Sequence, residues 1–168
     1  MYREKRVLIL LALLTLAVVT SGCGIIDWLA PTEEPIIADQ PGMIIFDAEE
    51  DSDMLRAYYW LFPEGTEFWT PSREDILALG ENATRFLQTD DVTQFHPDLW
   101  ARYDDYWRQY VGFVRDGQRL IYANYFCRAE AGWLDRLLEV ADGGDCYFQL
   151  TYDVDSQSFV NWYVNGEA

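Results

Sequence analysis

The only histidine in the chain, His96, is the residue best suited to act as a general base near neutral pH. It lies in the stretch FHPD, directly before a proline, where a histidine usually serves as a loop or cap residue. The sequence has no nucleophile motif of the G-x-S-x-G type. With one histidine and two cysteines that are expected to pair with each other, a typical zinc site is not expected either. We therefore interpret His96 as structural and expect no cofactor.

Paired carboxylates are a second source of chemistry, because glycoside hydrolysis needs only two of them around a sugar cleft. The 29 acidic residues include neighbouring groups at Asp90 and Asp91, at Asp104 and Asp105, and from Glu49 to Asp53. In so acidic a chain such pairs arise by chance, and solvated surfaces account for nearly all of them. Hydrolysis of an envelope polymer such as a glycan is therefore an alternative function, and a non-catalytic role is favoured.

Two acidic loops are candidates for weak calcium binding, because Ca²⁺ takes oxygen ligands from flexible loops. The stretch DGGD contains Asp142 and Asp145, and the stretch DVDSQS contains Asp153 and Asp155. Neither stretch follows the full pattern of an EF-hand loop. Turn formation is the simpler interpretation of both, and a weak calcium-binding module is a second alternative function.

Aromatic residues are in excess, with 7 Trp, 11 Tyr and 9 Phe among 168 residues. A small domain encloses only part of so many large side chains, and exposed aromatic patches mark ligand or partner surfaces. The stretch YYWLF holds Tyr58, Tyr59, Trp60 and Phe62, which cannot all face one side. This stretch is the candidate binding patch, and core packing is the competing interpretation.

One long helix and a series of strands are predicted to position these residues. The stretch WTPSREDILALGENATRFLQ begins with Thr70 as N-cap and Pro71 at the first helical position, and its apolar residues recur at helical spacing. From Arg108 onward the apolar period changes to two, and Asp116 followed by Gly117 indicates a hairpin. The pattern predicts an α+β fold, with one main helix packed on a four- to five-stranded antiparallel sheet.

Two shorter elements are also predicted. A second helix begins at Pro97 and places Trp100, Tyr103 and Trp107 on one side. A further strand covers residues 137–140, directly before the turn DGGD.

The predicted order of a strand, a helix and four antiparallel strands resembles the cystatin-like fold. The phrases YANYFC, DGGDCYFQLTYD and VNGEA also resemble a set of uncharacterised bacterial lipoproteins over residues 108–168. The resemblance implies the architecture and export, and it implies no catalytic residue. The protease-binding motif of cystatins, Q-x-V-x-G, is absent, because QYVGF has its glycine one residue early. Protease inhibition is therefore not expected.

The first 22 residues have the pattern of a signal peptide. A basic start, MYREKR, is followed by the apolar run VLILLALLTLAVV and then by small residues. A spanning helix needs about 20 apolar residues, and Thr20, Ser21 and Gly22 interrupt this run too early. An uncleaved membrane anchor is therefore the weaker alternative.

The stretch TSGC resembles the lipobox of bacterial lipoproteins, in which small residues precede a cysteine that is acylated and becomes the mature N-terminus. Ser21 and Gly22 match that pattern, Thr20 replaces the usual aliphatic residue, and Cys23 is the modified position. The resemblance implies a lipid anchor in the cell membrane or outer membrane, facing the extracytoplasmic side. Gly24, in place of an aspartate, fits sorting to an outer membrane.

The remaining chain divides into a tether and one domain. Residues 23–42 contain three prolines and no sustained period, so we interpret them as the lipid-anchored tether. Residues 43–168 have the length and composition of a single α+β globular domain. Residues 23–168 carry 9 Arg, no Lys and 28 acidic residues, which gives a formal charge near −19. So acidic a surface repels nucleic acid, and no nucleic-acid partner is expected.

Two cysteines are left after Cys23. In an exported protein, Cys127 and Cys146 are expected to pair. Two buried free thiols are the alternative. Taken together, these patterns predict a non-catalytic, membrane-tethered module outside the cytoplasm that binds an envelope protein or a glycan.

Overall fold

Six β-strands form one mixed sheet in this protein, whose computed structural model describes residues 41–167. Five strands lie in the order β1-β3-β4-β5-β6, and β2 also pairs with β3. The elements follow one another as β1 Met43–Ile45, α1 Ser52–Arg56, β2 Glu67–Trp69, α2 Arg73–Phe86, α3 Asp90–Thr93, a 3₁₀ helix Trp100–Asp105, β3 Trp107–Arg115, β4 Gln118–Phe126, a 3₁₀ turn Gly144–Cys146, β5 Tyr147–Asp153 and β6 Ser158–Val164. The α+β class is confirmed.

The C-terminal strands form the predicted antiparallel meander. β3 and β4 pair along their whole length around Asp116 and Gly117, which have φ angles of 53° and 77°. Positive φ at both central residues is what a tight hairpin turn requires, and it explains the Asp-Gly pair. β5 pairs with β4 on one side and with β6 on the other. The predicted hairpin is confirmed.

The prediction of a purely antiparallel sheet of four to five strands is wrong. β1 runs parallel to the first half of β3, and β2 runs antiparallel to its second half, so both share one edge. Strands of three residues are too short to show a period of two, and their pairing is decided by distant residues. A Cβ atom on Gly112 would lie 2.2 Å from the carbonyl oxygen of Trp69, so only glycine allows β2 to approach β3 there.

The main helix is confirmed, and its predicted cap is wrong. The N-cap of α2 is Ser72, whose hydroxyl accepts from the backbone N–H of Asp75, while the Asp75 carboxylate accepts from the Ser72 N–H. This reciprocal capping box satisfies two N–H groups that the helix leaves free. Thr70 instead accepts from the Ala48 N–H and donates to the Asp47 carboxylate.

One face of the sheet, here named the helix face, is covered by α2. The helix buries Ile76, Leu79 and Ala83 at helical spacing, as the sequence predicts. They pack on a set of strand side chains that is rich in tyrosine: Tyr110, Ile121, Ala123, Tyr125, Phe148, Leu150 and Tyr152.

The opposite face, here named the loop face, is covered by residues 46–62 and 127–142. Apolar side chains of both segments pack on the sheet in two clusters: Phe46, Leu55, Phe62, Val111, Phe113, Leu120 and Leu137 in one, and Trp107, Phe126, Trp133, Leu138 and Tyr147 in the other. Residues 137–140 belong to this covering loop, so the strand predicted there is wrong. The apolar run is buried because it covers the sheet, not because it joins it.

Four amide side chains form a row on the loop face, and we name them the amide ladder. Three of them bond to the 127–142 loop, and the fourth, Gln149, donates to Asn124 and Asn165. Gln109, Asn124 and Gln149 are register partners on β3, β4 and β5, and Asn165 follows β6. Gln109 donates to the carbonyls of Trp133 and Arg136 and accepts from the Leu138 N–H, while Asn124 and Asn165 donate to further loop carbonyls. The ladder thereby satisfies buried backbone groups of a loop that has no regular hydrogen bonding.

The predicted disulfide is present. The Cα atoms of Cys127 and Cys146 are 5.0 Å apart, within the reach of a disulfide, and the Cys127 N–H donates to the Cys146 carbonyl. The bridge joins the end of β4 to the residue directly before β5.

The second helix, predicted to begin at Pro97, is instead a 3₁₀ helix over Trp100–Asp105 that ends before Trp107. Tyr103 is buried and Trp100 is exposed, whereas Trp107 begins β3 and packs against Trp133 on the loop face. The three aromatic residues therefore do not share one side. Within residues 41–167, no helix has the length and apolar character needed to cross a bilayer.

Candidate functional site

The aromatic stretch after α1 presents two exposed side chains, Tyr59 and Trp60, which we name the aromatic platform. Their side chains are 71 % and 54 % exposed, and their rings meet edge to face with centroids 5.0 Å apart. The Trp60 indole N–H donates to the Glu139 carboxylate over 2.7 Å. Exposed rings held in one orientation lose little conformational entropy when a ligand binds.

The other two residues of the predicted patch support the platform from below. Phe62 is 2 % exposed and packs edge to face against Phe68, so its assignment to an exposed patch is wrong. Tyr58 is half-buried, and its hydroxyl donates to the Leu137 carbonyl over 2.8 Å. Core-facing and exposed residues follow one another here without a regular period, so the sequence predicts the location of the patch but not its members.

A small hollow of about 110 Å³ adjoins the platform. It is lined by Tyr59 together with Arg56, Glu64 and Thr66, whose side chains offer one cation, one carboxylate and one hydroxyl. An aromatic surface next to hydrogen-bonding groups suits an amphipathic ligand, because rings cover its apolar parts and polar groups orient it.

A second concave surface, here named the Arg108 cleft, lies between α2, the 3₁₀ helix and the start of β3. Its volume is about 310 Å³, and its lining includes Met43, Leu77, Gly80, Glu81, Tyr103 and Arg108. The Arg108 guanidinium lies over the Tyr103 ring, 4.6 Å from its centroid, and Nη2 donates to the Tyr103 carbonyl over 2.7 Å. The sequence analysis missed this site, although a glycine in the middle of a helix was a signal.

Two buried tyrosines, Tyr103 and Tyr110, line the Arg108 cleft, and Tyr125 lies next to Tyr103. The hydroxyls of Tyr103 and Tyr125 are 3.1 Å apart. Burial raises the pKa of all three hydroxyls above the usual value of a tyrosine. These groups stay protonated at neutral pH and act as hydrogen-bond donors and acceptors.

His96 makes a short contact with Asp145, at 2.5 Å between Nδ1 and Oδ1. The Arg102 guanidinium is 3.8 Å from the other carboxylate oxygen, and the Tyr106 hydroxyl donates to the Asp145 carbonyl. Burial raises the pKa of Tyr106 to about 12. The contact joins the 90–105 region to the loop before β5, which agrees with a structural role for His96. The sequence analysis treated His96 and Asp145 separately.

The two calcium candidates are engaged in local contacts. Asp153 accepts from the backbone N–H groups of Asp155 and Ser156, and its second oxygen accepts from Gln118. Asp145 is occupied by His96 as described, and Asp142 is exposed. Within the described residues, no group of three or more His, Cys, Asp or Glu side chains is placed to hold a metal ion.

The neighbouring carboxylates are distributed over separate surface elements. Asp90 and Asp91 are exposed in the first turn of α3, and Asp104 lies 3.5 Å from Arg108. Asp47 accepts from the N–H groups of Glu49 and Glu50, which together with Thr70 lower its pKa. These contacts are those of turns, helix starts and ion pairs.

No protein-family model, curated protein or solved structure matches this chain. The function is therefore inferred from its own residues.

Proposed function

We propose that this protein is a non-catalytic binding or interaction module, tethered to a membrane on the extracytoplasmic side. In this proposal Cys23 carries the lipid, residues 1–22 are a signal peptide and residues 23–42 are the tether. The membrane is the cell membrane or the outer membrane. The resemblance of the TSGC stretch to a lipobox supports the anchor. We also propose that the domain has a cystatin-like fold, on the basis of its resemblance to a set of bacterial lipoproteins.

The aromatic platform is the observation that carries the binding role. Tyr59 and Trp60 are exposed neighbours in a domain that buries about half of the large aromatic side chains of residues 41–167, and a contiguous exposed aromatic patch is typical of a ligand or partner surface. Tryptophan and tyrosine are also the residues that contribute most at binding surfaces. The supporting contacts of Tyr58 and Trp60 hold this surface in place without a ligand.

The proposed ligand is an envelope protein or a glycan. Both offer flat apolar surface that packs on aromatic rings, beside polar groups that the hollow at Arg56 and Glu64 is placed to meet. The strongly negative charge of the domain disfavours nucleic acid as a ligand.

The test is a capture experiment from envelope extract, together with a glycan array, on the full-length chain. The double variant Tyr59→Ala and Trp60→Ala is expected to lose its partner at least tenfold while keeping its melting temperature. Phe95→Ala, which removes an exposed aromatic outside the platform, is the matched control and is expected to bind normally. Equal capture by all three proteins would overturn the role of the platform.

The anchor is tested separately by mass spectrometry of the mature N-terminus. We expect an acylated Cys23 as the first residue, and Cys23→Ala is expected to release the protein from the membrane fraction. An unmodified N-terminus beyond Cys23, or a retained Met1, would contradict the proposal.

A further inference from the structure

The Arg108 cleft lies beside a glycine in the middle of α2, Gly80. A Cβ atom at Gly80 would come 3.8 Å from the Tyr103 hydroxyl, so alanine would fit there without a clash. Glycine costs a helix interior up to about 1 kcal/mol relative to alanine. Alanine would stabilise the helix and still leave the cleft open, whereas a larger side chain at this position would fill it.

The cleft contains a cation whose hydrogen bonding is incomplete. The Arg108 side chain is 16 % exposed, and its hydrogen bond to Tyr103 and its 3.5 Å contact with Asp104 both use Nη2. Nε is buried and has no hydrogen-bond partner among residues 41–167. An unpaired donor on a buried charge is costly. The guanidinium makes one hydrogen bond at Nη2, so donors remain for a ligand, and a carboxylate in the cleft would pair with it through charge-assisted hydrogen bonds.

The rim of the cleft offers two further kinds of contact. Met43 and Leu77 are exposed apolar side chains on this rim, and they provide a surface for an apolar group. Glu81 and Asp104 place carboxylates on the same rim. A ligand that carried only a negative charge would be attracted by Arg108 but repelled by these two residues.

We propose that the Arg108 cleft binds a small zwitterion with an apolar side chain, such as a free α-amino acid. The ligand carboxylate contacts Arg108, its ammonium group faces Glu81 and Asp104, and its side chain packs between Met43 and Leu77. A volume of about 310 Å³ lies at the lower end of ligand pockets, which suits one small molecule. This site is separate from the aromatic platform and does not depend on the function proposed for it.

The first experiment titrates the full-length chain, by calorimetry, with four probes that separate the three contacts. L-leucine has all three groups, 4-methylpentanoate lacks the ammonium, 3-methylbutylamine lacks the carboxylate, and glycine lacks the apolar side chain. Leucine is expected to bind at least tenfold more tightly than each of the others. The proposal is overturned if leucine does not bind, or if 4-methylpentanoate binds as tightly as leucine.

Variants then locate the binding. Gly80→Leu fills the cleft and is expected to lose leucine binding, whereas the matched control Gly80→Ala is expected to retain it. Glu81→Gln alters an exposed side chain, and it is expected to reduce the preference for leucine over 4-methylpentanoate at least threefold. Unchanged leucine binding in Gly80→Leu, or an unchanged preference in Glu81→Gln, would overturn the assignment. The double variant of Tyr59 and Trp60 is expected to bind leucine normally, which separates this site from the platform.

Discussion

The two faces of the sheet are covered in different ways. On the helix face, one regular helix buries Ile76, Leu79 and Ala83 against strand side chains, and all of the helix's interior backbone groups are paired within it. On the loop face, the 127–142 loop buries Trp133, Leu137 and Leu138, but several of its backbone groups need partners from outside the loop. The amide ladder supplies those partners, so a helix needs only apolar contacts where a loop also needs polar ones.

The largest expected effect distinguishes the polar contacts of the loop face from the apolar contacts of the helix face. The test replaces one buried residue on each face by methionine. Gln109→Met removes the side chain that pairs with Trp133, Arg136 and the Leu138 N–H. Buried groups left without partners cost about 1 to 3 kcal/mol each, so we expect the free energy of unfolding to fall by about 4 kcal/mol. Denaturant unfolding of the full-length chain measures it.

The matched control is Leu79→Met on the helix face, where an apolar residue of similar volume replaces another. Its expected cost is below about 1.5 kcal/mol, because no polar group loses a partner. Equal destabilisation by the two variants would show that the ladder contributes no more than packing.

Reduction of the disulfide is expected to have the second-largest effect on stability, and it acts on the loop face. Cys127 and Cys146 are 19 residues apart, and closing a loop of this length contributes about 3 kcal/mol in the chain-entropy model. A reductant is therefore expected to lower the melting temperature of the wild-type chain. The variant with both cysteines replaced by alanine serves as control and should not respond to the reductant.

Alkaline pH is expected to act on the tyrosines of the helix face. The pKa of Tyr106 is about 12 in the folded protein and near 10 in the unfolded chain, so the folded state binds the proton more tightly. The contribution of the Tyr106 hydroxyl to the free energy of unfolding is complete below pH 10. It is lost as the pH rises from 10 to 12, and the loss is on the order of 2 kcal/mol. Burial also raises the pKa of Tyr103, Tyr110 and Tyr125, so we expect their ionisation to lower the free energy of unfolding at alkaline pH as well.

Urea unfolding at pH 9, 10 and 11 measures this loss. Tyr106→Phe removes one ionising hydroxyl and should lose less stability over that range than the wild type. Gln109→Met removes an amide that does not titrate, so its pH profile should run parallel to that of the wild type.

The smallest effect concerns the start of the helix. Ser72→Ala removes the hydroxyl half of the capping box and is expected to cost about 1 kcal/mol. Hydrogen exchange of the Asp75 and Ile76 amides should accelerate in this variant. In Thr70→Ala these amides should keep their protection, because Thr70 contacts Asp47 and Ala48 instead.

Several features of the fold could be predicted because they depend on neighbouring residues. The helical spacing of Ile76, Leu79 and Ala83 and the turn at Asp116 and Gly117 are local patterns, and the structure contains both. The cap was displaced by two residues, since Thr70 and Ser72 both suit the position and only Ser72 is followed by an acid three residues later. The α+β class follows from these elements.

The candidate site was predicted less completely. The sequence located the aromatic stretch but could not separate exposed Tyr59 and Trp60 from buried Phe62, because an irregular segment has no period that assigns its faces. The contact of His96 with Asp145 spans 49 positions, and the Arg108 cleft combines residues from four elements. Contacts between residues so far apart in the chain depend on how the elements pack.

By itself, the sequence determined the α+β class, the main helix, the β3–β4 hairpin and the pairing of Cys127 with Cys146. Local periodicity, turn chemistry and a limited number of cysteines were sufficient for these. Only the tertiary structure decided that β1 lies parallel to β3, that amide side chains hold a loop where a strand was predicted, and that a cleft opens at Gly80. The physical reason is that short strands, buried polar partners and cavities are defined by atoms that meet only after the chain has folded.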